Sequence, residues 1–172
     1  SYKSTDDAEM IRAAWIVASS ITRANGDYTL DKNVRLEPDV DKKRLRVDWA
    51  VETLTWMLEK NEGDPLFTML LAESLARTTE GEEKSLAMLE GLAKEDLMPD
   101  GYGWATLAAL HTRAKKSEAA ATAAKRCNTV GLDKKVCAGS SIELLAKADV
   151  RQPKSKPRPK SKSKSASKAK SM

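Results

Sequence analysis

Leu71-Ala72 and Leu107-Ala108 place the same large–small apolar pair 36 residues apart, each inside a segment with helical spacing. On the segments that follow, Ser85 and Ala120 are 35 apart. Ala50, Leu54 and Met57 stand 35 before Ser85, Leu89 and Leu92. A recurrence in the mid-thirties of residues is the mark of helix pairs, each of which can bury its apolar side only against the next. Composition agrees with helix. The chain is 41% hydrophobic, with one Phe and four Trp, and Ala, Leu, Glu and Lys predominate. Such side chains lose little rotamer freedom in a helix. No alternating apolar/polar run is long enough to stand as a strand. The expected fold class is all-α.

The pattern predicts helices over about 5–24, 41–60, 65–78, 81–94, 104–114 and 117–128, with a last one over 133–147 that Gly139 could interrupt. Asp6 and Glu9 have the spacing of a capping box. Met10, Ala13, Ala14, Val17, Ala18 and Ile21 form the first apolar stripe, which Asn25-Gly26 should end as a left-handed cap. Residues 27–40 read as irregular connection. In the second helix Leu45, Trp49, Ala50, Leu54, Met57 and Leu58 share one side, and Asn61-Glu62-Gly63 closes it. Asp64-Pro65 supplies an N-cap and a proline at the first helical position, where its missing donor costs nothing. Pro99 and the Asp100-Gly101-Tyr102-Gly103 run read as a break.

With Leu107-Ala108 as the paired large–small positions, Trp104 falls on an aromatic position and His111 on a large one. Ala120, Ala124 and Cys127 fall on the small or medium positions of a second helix. This resembles the tetratricopeptide repeat over about 41–128, with Leu71-Ala72, Leu75, Ser85, Leu89 and Leu92 as the preceding unit. The turn glycine and terminal proline of that repeat are poorly kept. The resemblance implies an α-solenoid of about three stacked helix pairs, with a groove lined by the first helix of each pair. It implies an interaction module rather than a named partner. The residues expected to face the groove are Trp15, Met69, Glu73 and His111. Trp49 and Trp104 are expected in the core. Trp15 and Trp56 lie beside the main stripes, where a half-exposed Trp can anchor a partner.

The formal net charge of +5 hides two unlike parts, 1–150 and 151–172. The last 22 residues carry nine Lys or Arg and no acid, so twenty-one basic residues face twenty-five acidic ones in the rest. The helical body is acidic and the basic balance belongs to the tail. Lys, Pro and Ser with almost nothing apolar cannot bury enough surface to order a chain, so 151–172 is expected to be disordered. Its composition resembles the lysine-rich tails of histone-H1-like proteins. Lys154, Lys156, Arg158, Lys160, Lys162, Lys164, Lys168 and Lys170 could neutralise a nucleic acid, an anionic membrane or an acidic polymer. With no aromatic residue to stack on bases, nucleic-acid binding through the tail would be sequence-independent.

Catalytic and metal chemistry find little foothold. His111 is the one histidine, with no Ser or Cys motif to use it as a base, and it sits where the repeat wants a packing residue. No phosphate-binding glycine loop, HExxH or EF-hand pattern occurs. Cys127 and Cys137 with His111 fall short of a four-ligand zinc site. The two cysteines stand ten apart across a helix-to-turn connection, and the expectation is a disulfide, against the alternative of two buried thiols in a reducing compartment. No run approaches the length of a membrane span. The chain opens at Ser1 with no apolar leader segment, as a processed mature form would, or one trimmed of its initiator Met. That start and the cysteine pair lean toward an exported or organellar protein, with the cytoplasm as the alternative.

The expected function is therefore a non-enzymatic adaptor or scaffold subunit of a larger complex, without cofactor or metal. Its groove would take a protein and its tail a polyanion. The alternatives are a nucleic-acid-associated structural protein that presents the tail, and a small tetratricopeptide-type chaperone.

Overall fold

The computed structural model describes residues 2–26, 39–132, 134–138, 142, 144 and 145, with side chains from residue 8 onward. Among the described residues there are seven helices and no strand: α1 (Tyr2–Arg23), α2 (Val40–Lys60), α3 (Pro65–Leu75), α4 (Glu82–Lys94), α5 (Gly101–Arg113), α6 (Ser117–Thr129) and α7 (Lys134–Cys137). Each helix from α1 to α6 packs on the next in sequence. In addition α1 packs on α3 and α3 on α5, so the odd helices form a row, and α7 lies against α5 and α6.

Local chemistry sets the boundaries. Asp39, Asp64 and Asp100 each accept two backbone N–H bonds at the starts of α2, α3 and α5, taking up donors that a helix start leaves unpaired. Asn25 and Gly26 end α1 with φ of 50° and 80°. Gly26 is required there twice over, because a Cβ would meet the backbone oxygen of Lys43 at 2.6 Å.

α3 is mostly apolar, as a helix enclosed by others should be. Every residue from Met69 to Thr78 is buried. α5 is likewise buried from Gly103 to His111. Gly103 lets the two helices close up, since a Cβ there would run into Met98 Sδ and would lie 2.8 Å from Met69 Cγ. Val47, Ala50, Leu54 and Met57 of α2 and Leu89 and Leu92 of α4 complete the core, with Ala18, Ile21, Ala123 and Cys127 from the flanking helices. Full burial of one such Leu or Met side chain contributes about 1.5–3 kcal/mol.

Several expectations are corrected. α1 begins at Tyr2, so Asp6 lies inside the helix and does not cap it. Leu45 and Trp49 are exposed: the stripe of α2 that enters the core is Val47, Ala50, Leu54 and Met57. Met10 and Ala13 also lie outside the buried stripe of α1. α5 starts at Gly101 because Asp100 caps it, so the Gly-rich run opens a helix where a break was expected. The last helix covers only Lys134–Cys137. Leu145 is instead extended, its N–H donating to Arg77 O at 2.7 Å in a single bridge beside Thr78. Gly139, most of 27–40 and all of 151–172 lie outside the described residues.

Candidate functional site

Two polar features stand out against the apolar core. The first is a cleft of about 900 Å³ between α4 and α6, floored by α5. Trp104, Leu107 and His111 of α5 line its base, Glu90 and Lys94 of α4 one wall, and the start of α6 the other. His111 is buried, its side chain 8% exposed, and Nε2 lies 3.8 Å from Glu90 Oε1. Its Nδ1 has no hydrogen-bond partner, although buried polar atoms nearly always have one. Arg126 reaches across from α6, with its guanidinium carbon 5.5 Å from the Trp104 ring centre and a 3.1 Å ion pair to Asp96. The chain enters α6 through Lys115, at φ 58°, and Lys116, whose N–H donates to His111 O. No side chain caps α6.

The second feature is a buried charge cluster where α1 and α3 end and α5 begins. Glu73 is 1% exposed and accepts from Arg23 Nε at 3.1 Å and from Arg23 Nη2 at 3.0 Å. Arg23 also reaches Asp100 at 2.9 Å and lies 3.9 Å over the Tyr102 ring. Arg77, also buried, donates to Asn25 Oδ1 at 3.1 Å and to Glu73 O. Thr22 and Ser74 share a hydrogen bond of 2.6 Å beside it. Burial pushes the Glu73 carboxyl above its usual range, and the Arg23 guanidinium opposes that shift. Burial pushes Arg77 down to about 10, with Glu73 opposing. Both carboxylate oxygens of Glu73 are held by Arg23, which makes the cluster a clamp between α1, α3 and α5.

The same corner holds the end of the described chain. Arg44 donates to Leu145 O and Arg113 to Ile142 O, each at 2.9 Å. Cys127 and Cys137 are joined by a disulfide, which fastens α7 to the end of α6.

Sequence reasoning placed Trp15, Met69, Glu73 and His111 on one open groove, and the structure does not bring them to one surface. Met69 is fully buried because Gly103 lets α5 close over it. Glu73 is drawn inward by Arg23 and Arg77. Trp15 packs half-buried against the core. Only His111 opens onto a cleft. Trp104 is buried as expected, and Trp56 is exposed. Trp56 borders a depression of about 430 Å³ with Met10, Ile11 and Ala14. The Arg23–Asp100 arm was missed. One signal for it was available: Asp64 and Asp100, both helix caps, are 36 residues apart.

Comparison with known protein families, curated proteins and solved structures finds no significant match for this chain.

Proposed function

We propose that the chain is a protein–protein interaction scaffold built as three tetratricopeptide-like units, α1–α2, α3–α4 and α5–α6. Three pairs of residues 36 apart support the repeat by doing the same work twice. Asp64 and Asp100 cap α3 and α5. Ala72 and Ala108 are the buried small residues of those helices. Arg77 and Arg113 each reach back to the end of the preceding odd helix, at Asn25 and Ala76.

The observation that carries the function is the apolar exposure of the first unit. Met10, Ile11 and Ile16 of α1 and Leu45, Trp49 and Trp56 of α2 are all exposed, with Met10 at 64% and Leu45 at 68%. Large exposed apolar side chains concentrated on one helix pair are the usual mark of a protein contact. The disulfide supports an oxidising compartment. That favours an anionic membrane surface or acidic polymer over nucleic acid as the ligand of Lys154 to Lys170, a segment outside the described residues.

A photo-crosslinking residue at position 56 of the full chain should trap a discrete protein adduct. Met10→Ser with Ile11→Ser should abolish it, whereas a crosslinker at the exposed Glu62 should trap none. Equal trapping from positions 56 and 62 would rule out the scaffold reading. Replacing the tail lysines by Ser should remove salt-dependent binding to anionic vesicles and leave the adduct intact.

A further inference from the structure

Where α3 and α5 end, the body grips a piece of extended chain by its backbone. Leu145 lies beside the turn after α3, where its N–H donates to Arg77 O at 2.7 Å and it forms a single parallel bridge with Thr78. Its side chain is buried. Arg44 Nη1 donates to Leu145 O and Arg113 Nη2 to Ile142 O, each at 2.9 Å. Ile142 packs half-buried against the core. This strap, described at Ile142, Leu144 and Leu145, is thus held by main-chain hydrogen bonds and aliphatic side chains. Peptides that add to a fixed edge use the same two kinds of contact, backbone bonds for affinity and a side-chain pocket for selection. The seat of the strap shares no residue with the exposed apolar face of α1–α2.

The body builds this seat without help from the strap. Arg44 is held by ion pairs to Asp48 at 2.8 Å and Glu80 at 2.9 Å. Arg113 pairs with Glu82 at 2.7 Å and donates to Ala76 O at 2.8 Å. Both guanidinium groups are therefore oriented by body residues, and donors fixed in advance lower the ordering cost of binding. The strap brings little structure of its own, one bridge and no helix. Such weakly embedded elements open while the rest of a fold stays closed. What keeps the strap in place is its tether. Cys137 is bonded to Cys127, and only Ala138, Gly139, Ser140 and Ser141 separate it from Ile142. A short tether gives the strap an effective concentration on the order of millimolar, which a free peptide has to outcompete.

We propose that this seat is a binding site for an extended peptide, which the chain's own strap occupies in cis as an autoinhibitory contact. The ligand is a segment with two aliphatic residues three apart, the spacing of Ile142 and Leu145 in the resident copy. Arg44 and Arg113 donate to its carbonyls, and Arg77 O accepts one of its N–H groups. Because these bonds go to the main chain, selection rests on the aliphatic residue that takes the place of Leu145. A partner's segment binds when the strap leaves.

The probe is a fluorescent peptide of residues 139–148, titrated into the full chain and read by polarisation. Leu145→Ser in the chain removes the strap's buried side chain and leaves every body group of the seat in place. That variant should bind the peptide about tenfold or more tightly than the wild type does, because the competitor in cis is weakened. A peptide that itself carries Leu145→Ser should not bind, and Arg44→Gln added to the variant chain should weaken binding several-fold. Hydrogen exchange on the wild type needs no variant. The Leu145 amide should exchange roughly 100-fold or more faster than the Ala72 amide in α3, since the strap opens while the core stays closed. The proposal is overturned by a Leu145→Ser chain that fails to fold, or that binds the peptide no better than wild type. It is equally overturned by equal binding of the two peptides, by unchanged binding in Arg44→Gln, or by a Leu145 amide that exchanges as slowly as Ala72.

Discussion

α3 and α5 align in sequence at a spacing of 36 residues and differ at two positions that matter. They share an Asp cap, a buried Ala at the helix contact, and an Arg beyond it that reaches back to the preceding odd helix. At one divergent position α3 has Glu73, fully paired inside the fold, and α5 has the buried Ala109. At the other, α3 has the buried Leu75 and α5 has His111, which lines a cleft with an unpaired nitrogen. What the helices share packs them against their neighbours. Where they diverge, α3 anchors α1 and α5 offers an opening.

The hardest way to break that comparison is to remove the anchor. Glu73→Ala leaves Arg77 buried with no facing carboxylate and takes two hydrogen bonds from Arg23. A broken buried pair costs about 3–5 kcal/mol, so the urea midpoint should fall sharply with little change in slope. A loss below about 1 kcal/mol would mean that Glu73 is not the anchor. The pH dependence has a definite sign. Burial raises the folded-state pKa of Glu73 above its ordinary 4.5. The folded chain therefore holds this proton more tightly than the unfolded chain does. The stability linked to that proton is fully present below 4.5 and is lost as pH rises through the folded value. Against Glu73→Gln, which does not titrate there, the wild type should lose stability with rising pH across that range.

The next effect belongs to the α5 side. α3 has helices packed on both flanks, whereas α5 and α6 have only α7 beyond them in the described chain. The Cys127–Cys137 bond closes ten residues, a loop for which chain entropy suggests about 2–3 kcal/mol. Cys127→Ser with Cys137→Ser should lower stability by that amount. Hydrogen exchange should rise in α6 and α7 and stay near wild type in α2 and α3. Uniform loosening would show that the two units are not separable.

The caps sharpen the comparison further. Asp64→Ala loses a cap alone, about 1 kcal/mol. Asp100→Ala loses a cap and the 2.9 Å contact with Arg23, so it should cost more. A double-mutant cycle with Arg23→Met should give a coupling energy for Asp100 and none for Asp64.

Much of the fold was legible because it rests on local chemistry. Asp64-Pro65 and Asn25-Gly26 mark helix ends by rules that need no tertiary knowledge, and α1 to α6 lie within a few residues of their expected spans, whereas α7 stops ten residues short of its own. The all-α class follows from the same signals. The failures have a common physical cause, which is that the decisive partner is distant in sequence. Two glycines argue against a helix at 101–103 until Met69 is known to press on Gly103. Leu45 and Trp49 share a face with Leu54 and Met57 by period, yet the packing of α2 buries the neighbouring stripe through Val47. Glu73 reads as a groove carboxylate because Arg23 stands 50 residues away. The His111 cleft was half legible: the lone histidine was visible and read as packing, but its unpaired nitrogen is a property of the folded surroundings alone.

The smallest expected effect separates the two readings of that histidine. His111→Leu gives α5 the residue that α3 already carries at the equivalent place. The swap removes a buried unpaired nitrogen and puts an apolar side chain of similar bulk in its place. The change should then lie within about 1 kcal/mol of zero and lean toward stabilisation. Such a result would show that the fold has no need of an imidazole there. A loss of more than about 2 kcal/mol would instead tie His111 to the packing between α4 and α5 through Glu90, and the divergence between α3 and α5 would belong to the stack itself.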